Sequence, residues 1–283
     1  MIVLSHYQAA ELLNALNKEL SEIDVSLDLG ITESKVKIDK NSFILIKNDE
    51  TEKITIDDVK KIIKDNKVCF LIKENKIIKI QFFSEKTNRF YKLFPTGIDI
   101  PPTVEISGIR MHVTKEYDPY KDAIKKIENI MPTKGKVLDT CTGLGYTAIM
   151  AAKNGADLVV SCEKDKNILE IQKYNPWSSE LFSLKNIKII NNDMMKQIKK
   201  FSEQEFDRIV HDPPSLKIAG ELYSLEFYKE LYRVLKNRGI IYHYTGSPGE
   251  KKGIDVVSGV MKRMKEAGFR ELKRVHYGVA GKK

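Results

Sequence analysis

The stretch RIVHDPPSLK, Arg208 to Lys217, runs an apolar strand-like segment into an acid and two consecutive prolines. Asp212 brings a carboxylate. Pro213 and Pro214 remove two backbone donors and stiffen the chain, so this corner offers acceptors in fixed directions and no competing N–H. Other strand-like runs end in similar groups. VLDTCTGLGYTA places Asp139 four residues before Gly143, with Gly145 next and a helical run after it. The glycines permit a tight turn and a close approach of backbone to ligand, and Gly143 to Ala148 also fits the weak dinucleotide pattern G-x-G-x-x-G/A. A carboxylate ahead of them repels a pyrophosphate but accepts a hydrogen bond from an ammonium group. LVVSCE ends in Glu163, whose two oxygens can accept both hydroxyls of a ribose. IKIINND ends in Asn191, Asn192 and Asp193. For any one such acid, capping the next helix is the ordinary alternative. Three at successive strand ends point together to a nucleoside-bearing ligand.

The elements that must position these groups alternate strand and helix from about residue 106 onward. DPYKDAIKKIENIMP reads as a helix with Asp118 as N-cap, Pro119 at its first position and Pro132 beyond its end. KVLDT, LVVSCE, IKIINND, FDRIVHD and GIIYHYTG read as strands. GYTAIMAAKNG, a segment to about Tyr174, SLEFYKELYRVLKNRG and IDVVSGVMKRMKEAG read as helices, and FRELKRVHYGVAG as a last strand or pair. This alternation predicts an α/β fold with a doubly wound, mostly parallel sheet over residues 106–283, in which ligands sit beyond the carboxyl ends of the strands. Residues 1–105 predict a smaller accessory α+β domain. Leu12, Leu13, Leu16 and Leu20 recur at helix spacing, TIDDVKKIIKDN is a second helix, and KVCFLIKENKIIKIQFF is a hairpin turning at Glu74-Asn75. FPTGIDIPPT, with three prolines, is the candidate linker.

D-x-x-x-G-x-G after a strand resembles the first motif of the class I methyltransferases. That resemblance implies a Rossmann-like fold and S-adenosyl-L-methionine as cofactor. It would be held by Asp139, Thr140, Thr142, Gly143, Gly145 and Tyr146, by Glu163 and Lys164 at the ribose, and by Asn192 and Asp193 at the adenine. Asp212-Pro213-Pro214 resembles the D-P-P corner of those members that methylate amino nitrogens. A conjugated NH2 is a poor nucleophile. If Asp212 and the Pro213 carbonyl accept its two hydrogens, the nitrogen turns pyramidal and its lone pair can face the methyl group. Ser215 stands where an aromatic usually stacks on the target base, a contact worth roughly 1–3 kcal/mol. Tyr244, then Tyr223 and Trp177, are the candidate substitutes, with an ordinary core role as the alternative for each. His112 is a candidate cover for the site, with ordinary strand hydrogen bonds as the alternative, the one also expected for His211 and His243. Lys251 and Lys252, in GSPGEKKG, are candidate phosphate contacts, with a plain solvated loop as the alternative. The set RMH, DTCTGLGYTA, NPWS, HDPPS, GELYS, FYKELYRVLKNRG and HYTGSPG resembles an archaeal family of class I RNA methyltransferases. The resemblance implies N4 of a ribosomal RNA cytidine, methylated once or twice.

Bulk composition is compatible with this. The chain has 283 residues, 42% hydrophobic and 31% charged, and no apolar run long enough to span a membrane. The N-terminus shows no signal-peptide pattern, and the cytoplasm is expected. The net charge is +9; residues 1–105 carry 16 Lys+Arg against 17 Asp+Glu, and the remainder 32 against 22, which places an anionic partner such as RNA on the second part. A solvated Lys-rich surface is the plain alternative. Cys69, Cys141 and Cys162 have no metal-ligand spacing, and no cysteine follows 162 to serve as the thiolate that pyrimidine C5 methylation needs. No metal site is expected. Three other classes share parts of the pattern. An aminopropyltransferase has the fold but a more Gly-rich first motif, and a nicotinamide-dependent oxidoreductase leaves Asp139 and the prolines unexplained. A non-catalytic RNA-binding protein would keep the site as a relict.

Overall fold

The structure, a computed structural model, describes residues 1–246 and 256–283. The chain divides into two compact units, Met1–Tyr120 with Asn167–Ser179, and Lys121–Lys166 with Glu180–Lys283.

The first unit is built from short antiparallel sheets and two capped helices. It runs β1 (Ile2–Leu4), α1 (His6–Asn17), the four-stranded meander β2 (Glu22–Ser26), β3 (Glu33–Asp39), β4 (Ser42–Lys47) and β5 (Glu50–Thr55), then α2 (Ile56–Lys64). Ser5 with Gln8 and Thr55 with Asp58 form capping boxes, which satisfy otherwise orphaned N–H groups and set where α1 and α2 begin. Leu12 on α1 and Val59 and Ile62 on α2 are fully buried against Val36, Phe43 and Leu45 of the meander. The hairpin β6 (Phe70–Lys73) and β7 (Lys76–Lys79) turns at Glu74 and Asn75, both with positive φ, and β1 completes its sheet. The strand expected to continue through Ile80 instead splits there. Its second half, β8 (Gln81–Ser84), joins a separate sheet with β9 (Arg89–Phe94), β10 (Thr103–Ile106) and β11 (Ile109–Arg110). The proline-rich stretch expected as a linker is a loop inside that sheet, because Thr103 pairs directly with Phe94 across it.

The second unit holds the parallel sheet. After α3 (Pro119–Glu128) come β12 (Lys136–Asp139), α4 (Tyr146–Lys153), β13 (Leu158–Glu163) and α5 (Lys166–Gln172), the last mostly assigned to the first unit. Then follow α6 (Glu180–Ser183), β14 (Ile187–Asn191), α7 (Met194–Gln197), β15 (Phe206–His211), α8 (Leu225–Val234), β16 (Leu235–Tyr244), α9 (Val256–Glu266), β17 (Arg270–Val275) and β18 (Gly278–Lys282). The strand order is β14-β13-β12-β15-β16-β18-β17, with the first five strands parallel and β18 antiparallel to both neighbours. Val137, Leu138, Val159, Ile209 and Val210 are fully buried, as strands covered on both faces require. The order reverses direction at β12, so the crevice beyond β12, β13 and β15 is the switch point where such sheets bind ligands.

α8 ends at Val234 rather than at Gly239, where the helical pattern runs out. Leu235 pairs with Phe206, Ile240 pairs with Arg208, and Arg238 between them takes a left-handed φ of 64°, so the intervening residues form a bulged start to β16. α8 packs Phe227, Tyr228 and Leu231 into the core, where the Tyr228 hydroxyl lies 2.8 Å from Nε2 of the buried His243. Tyr228→Phe removes the partner of that nitrogen. It should destabilise the protein by about 1–3 kcal/mol, read as a lower urea midpoint with an unchanged slope.

Candidate active site

Parallel pairing of β12 with β15 aligns Asp139 with Val210, which brings the turn after Asp139 beside the corner at Asp212. The two are tied through a buried histidine. Thr140 donates its backbone N–H to the Val210 carbonyl at 3.0 Å, and its hydroxyl lies 2.7 Å from Nδ1 of His211. Nε2 of His211 lies 2.9 Å from the Leu222 carbonyl, which can only accept, so Nε2 carries the proton and Nδ1 accepts from Thr140. Burial pushes the His211 imidazole down to about 4, so it stays neutral and structural. The Tyr223 hydroxyl donates to the Pro214 carbonyl at 3.0 Å and fixes the corner from below. Pro213 is buried, and among the described residues no donor reaches its carbonyl.

The glycine turn is equally determined. Gly143 and Gly145 both have positive φ, and a Cβ on Gly145 would lie 2.2 Å from the Leu181 side chain. The turn is braced from beneath: Ser161 donates to Asp139 at 2.7 Å, and its hydroxyl lies 2.6 Å from that of Thr142. Asp139 is therefore fully buried below the turn and shapes it, whereas the sequence placed it against the ligand. Thr140 and Thr142 are buried with it, and Tyr146 opens α4 from the core. Glu163 accepts from the Gly143 N–H at 3.0 Å and from the Asp165 N–H at 2.8 Å. Asp193 caps α7 through the Met195 N–H and pairs with Lys164 at 2.7 Å, so the capping role is what the structure gives it. Asn192 bridges to Gln197 and to the Asp193 N–H.

The sequence missed the group closest to Asp212. Lys126 of α3 places its ammonium 2.6 Å from Asp212 Oδ2 and 2.8 Å from Asp122 Oδ2, and Nε2 of His276 lies 2.7 Å from Asp122 Oδ1. The ammonium also sits over the Tyr244 ring, 4.4 Å from its centroid, so this ring, expected to stack on a base, faces a lysine. The signal was present as an Asp-Lys pair at i,i+4 beside the apolar stripe Ala123, Ile127 and Ile130, all buried. His112 and Trp177 belong to the first unit. There His112 Nδ1 lies 2.8 Å from the Thr103 hydroxyl, and the Trp177 indole donates to the Leu29 carbonyl at 3.0 Å. Ser215 is exposed in a turn that its own carbonyl closes. Lys251 and Lys252 lie outside the described residues.

Charge is the notable property of the strand ends. Burial, with the Asp212 and Glu163 charges, pushes the Asp139 carboxyl up to about 7, and burial does the same to Glu163. Asp139 Oδ1 is buried and meets no donor among the described residues. Asp212 is also raised by burial, against which Lys126 works. The three acids are clustered, and two of them hold a proton up to about pH 7 that an arriving cation can displace, so the residues present fit a cationic, nucleoside-bearing ligand such as S-adenosylmethionine. The thiols offer no nucleophile: burial pushes Cys162 up to about 12, and Cys69 and Cys141 upward as well.

The family model described as conserved hypothetical protein 95 matches residues 111–271. A protein of Methanocaldococcus jannaschii, "Uncharacterized protein MJ1233", is 48% identical over 262 residues, covering 92% of this chain and 88% of that protein. The polyamine aminopropyltransferase of Thermoplasma volcanium is 31% identical over 96 residues, 33% of this chain and 35% of that enzyme. A solved spermidine synthase, in complex with the transition state analogue AdoDATO, is similar with a TM-score of 0.56 at 20% identity, covering 73% of this chain and 75% of that one. That likeness shows the fold: class I methyltransferase and spermidine synthase architecture. The expectation of an archaeal ribosomal RNA cytidine N4-methyltransferase family is overturned, since the matching family model is the one above and relatives such as the Thermoplasma volcanium enzyme are aminopropyltransferases.

The raised acids give a pH signature with a definite sign. A carboxyl at about 7 when folded, against about 4 when unfolded, keeps its proton between those values. Folding stability attributable to Asp139 and Glu163 is therefore full below about 4 and lost as pH rises through about 7. Binding of S-adenosylmethionine or its decarboxylated form should release protons just below about pH 7 and tighten as pH rises through about 7. Titration calorimetry in two buffers of different ionisation enthalpy checks this, and equal heats in both would contradict it.

Proposed function

This chain belongs to the conserved hypothetical protein 95 family, and from that premise we propose that it moves an alkyl group from an adenosyl sulfonium donor to an amine nitrogen. The group moved is the aminopropyl of decarboxylated S-adenosylmethionine, and the acceptor is a polyamine. The observation that carries this reading is the set of carboxyl groups, Asp139, Glu163 and Asp212, gathered at the ends of the neighbouring strands β12, β13 and β15. Both reactants are cationic, so the same acids suit donor and acceptor. The names of the aminopropyltransferase relatives support the choice of group.

When bound, the donor supplies an electrophilic carbon beside its sulfonium. The protein's part is to hold and aim. The turn from Thr140 to Gly145 and Glu163 hold the nucleoside end. Asp212 Oδ1 and the Pro213 carbonyl accept hydrogens of the amine and direct its lone pair toward that carbon. As the C–N bond forms, the C–S pair returns to sulfur and the nitrogen's proton passes to Asp212, whose raised affinity for protons suits the task.

A second reading, methyl transfer to an amine, is favoured by one observation. The turn Thr140-Cys-Thr-Gly-Leu-Gly145 has no acidic side chain to repel the carboxylate of intact S-adenosylmethionine. Incubation of the protein with spermidine and each donor in turn, followed by mass spectrometry of the amine, separates the readings. Aminopropylated product is expected; methylated product alone would select the second, and failure to bind either donor would remove both. Asp212→Asn should lower turnover by about 10²- to 10⁴-fold while leaving donor affinity within a few-fold.

A further inference from the structure

Lys126 is almost wholly buried, with 5% of its side chain exposed, and so is Asp122, at 1%. Buried ion pairs are often no more stabilising than apolar residues of the same size, so a pair held here calls for a reason beyond stability. Its geometry supplies one. The Lys126 ammonium donates to Asp212, stands 2.8 Å from Asp122 Oδ2 as an ion pair, and is covered by the face of Tyr244. His276 holds the far oxygen of Asp122, which makes Asp122 the fixed back wall of a clamp. Of the two carboxylates, Asp212 is the one open to the site, at 19%. Its Oδ2 is taken by Lys126, and no described residue donates to its Oδ1.

We infer that Lys126 is a positioning residue for the acceptor: a tethered ammonium that occupies Oδ2 of Asp212 and leaves Oδ1 as the single carboxylate oxygen meeting the incoming amine. This rests on the proposed role of Asp212. The clamp does two things. It fixes the rotation of the Asp212 carboxylate, so that Oδ1 and the Pro213 carbonyl form a two-point acceptor for one nitrogen. It also keeps Asp212 ionised beside Asp122 and Asp139. A protonated Asp212 would donate a hydrogen bond and turn the amine's lone pair away from the donor. An ammonium already at Oδ2 disfavours a second one at Oδ1, so the reacting nitrogen is selected in its neutral form. Any further charges of a polyamine must lie away from the corner.

Chemical rescue tests the clamp. Lys126→Ala should lower turnover by about 100-fold, with donor affinity and acceptor KM within about threefold. Ethylamine, which can place an ammonium in the vacated clamp, should restore the rate saturably in this variant and do nothing for the wild type. The same amine should raise the melting temperature of Lys126→Ala saturably, but not that of Lys126→Ala combined with Asp212→Asn. If the wild type transfers no group, the proposed reaction fails while the melting response still decides the clamp. Lys126→Met, which keeps the packing volume, serves if the alanine variant does not fold. Its infrared spectrum at neutral pH should show a protonated carboxyl band that Asp212→Asn removes. A wild-type rate in Lys126→Ala, no response to ethylamine, or an Asp212 that stays ionised in Lys126→Met would each overturn the inference.

Discussion

The parallel register between β12 and β15 is the constraint on which the site depends. Pairing Leu138 with Ile209 and Asp139 with Val210 forces two chain reversals to leave the sheet side by side. One becomes the glycine turn and the other the double-proline corner. His211 locks them together, because its ring spans from the Thr140 hydroxyl to the Leu222 carbonyl at full burial. A shift of that register would separate Thr140 from His211 and the turn from the corner at once.

Much of this was legible from residue types. Alternating strand and helix patterns give the doubly wound sheet, and Gly143, Gly145, Pro213 and Pro214 mark its two functional reversals because backbone chemistry restricts what else fits there. Other features depended on pairings that no local pattern states. The helix at Leu225 looks continuous to Gly239, yet Leu235 is claimed by Phe206, a strand partner distant in sequence. Phe94 to Thr103 has linker composition, yet its ends pair with each other.

The site shows the same division. Asp212 announced itself through its prolines, but Lys126 did not, because its partner lies 86 residues away and its i,i+4 pairing with Asp122 looks like any helix-surface ion pair. Asp139 and Asp193 were legible as strand-end acids, and their orientations were not. One braces a turn from below through Ser161, and the other caps α7 and pairs with Lys164. Strand-end position alone does not tell whether a carboxylate faces the ligand, the next helix or the core. The family assignment fell for a related reason: short motifs shared across one fold describe how a nucleoside is held more than which group is moved.

The charge arrangement ties these observations to the proposed chemistry. In alkyl transfer from a sulfonium, a positive charge leaves sulfur as another develops on nitrogen, a short distance away. A site made of fixed, partly desolvated carboxylates stabilises that charge at both ends of its path without reorganising between them. Lys126 keeps this arrangement workable. Burial and neighbouring carboxylates push Asp139 and Asp212 toward protonation, and Lys126 opposes that push at Asp212. With that cation in place proton uptake by Asp212 is opposed, and each proton that Asp139 and Glu163 release to an arriving cation adds a negative charge at its end of the path. The remaining attraction is then available to the positive charge that moves.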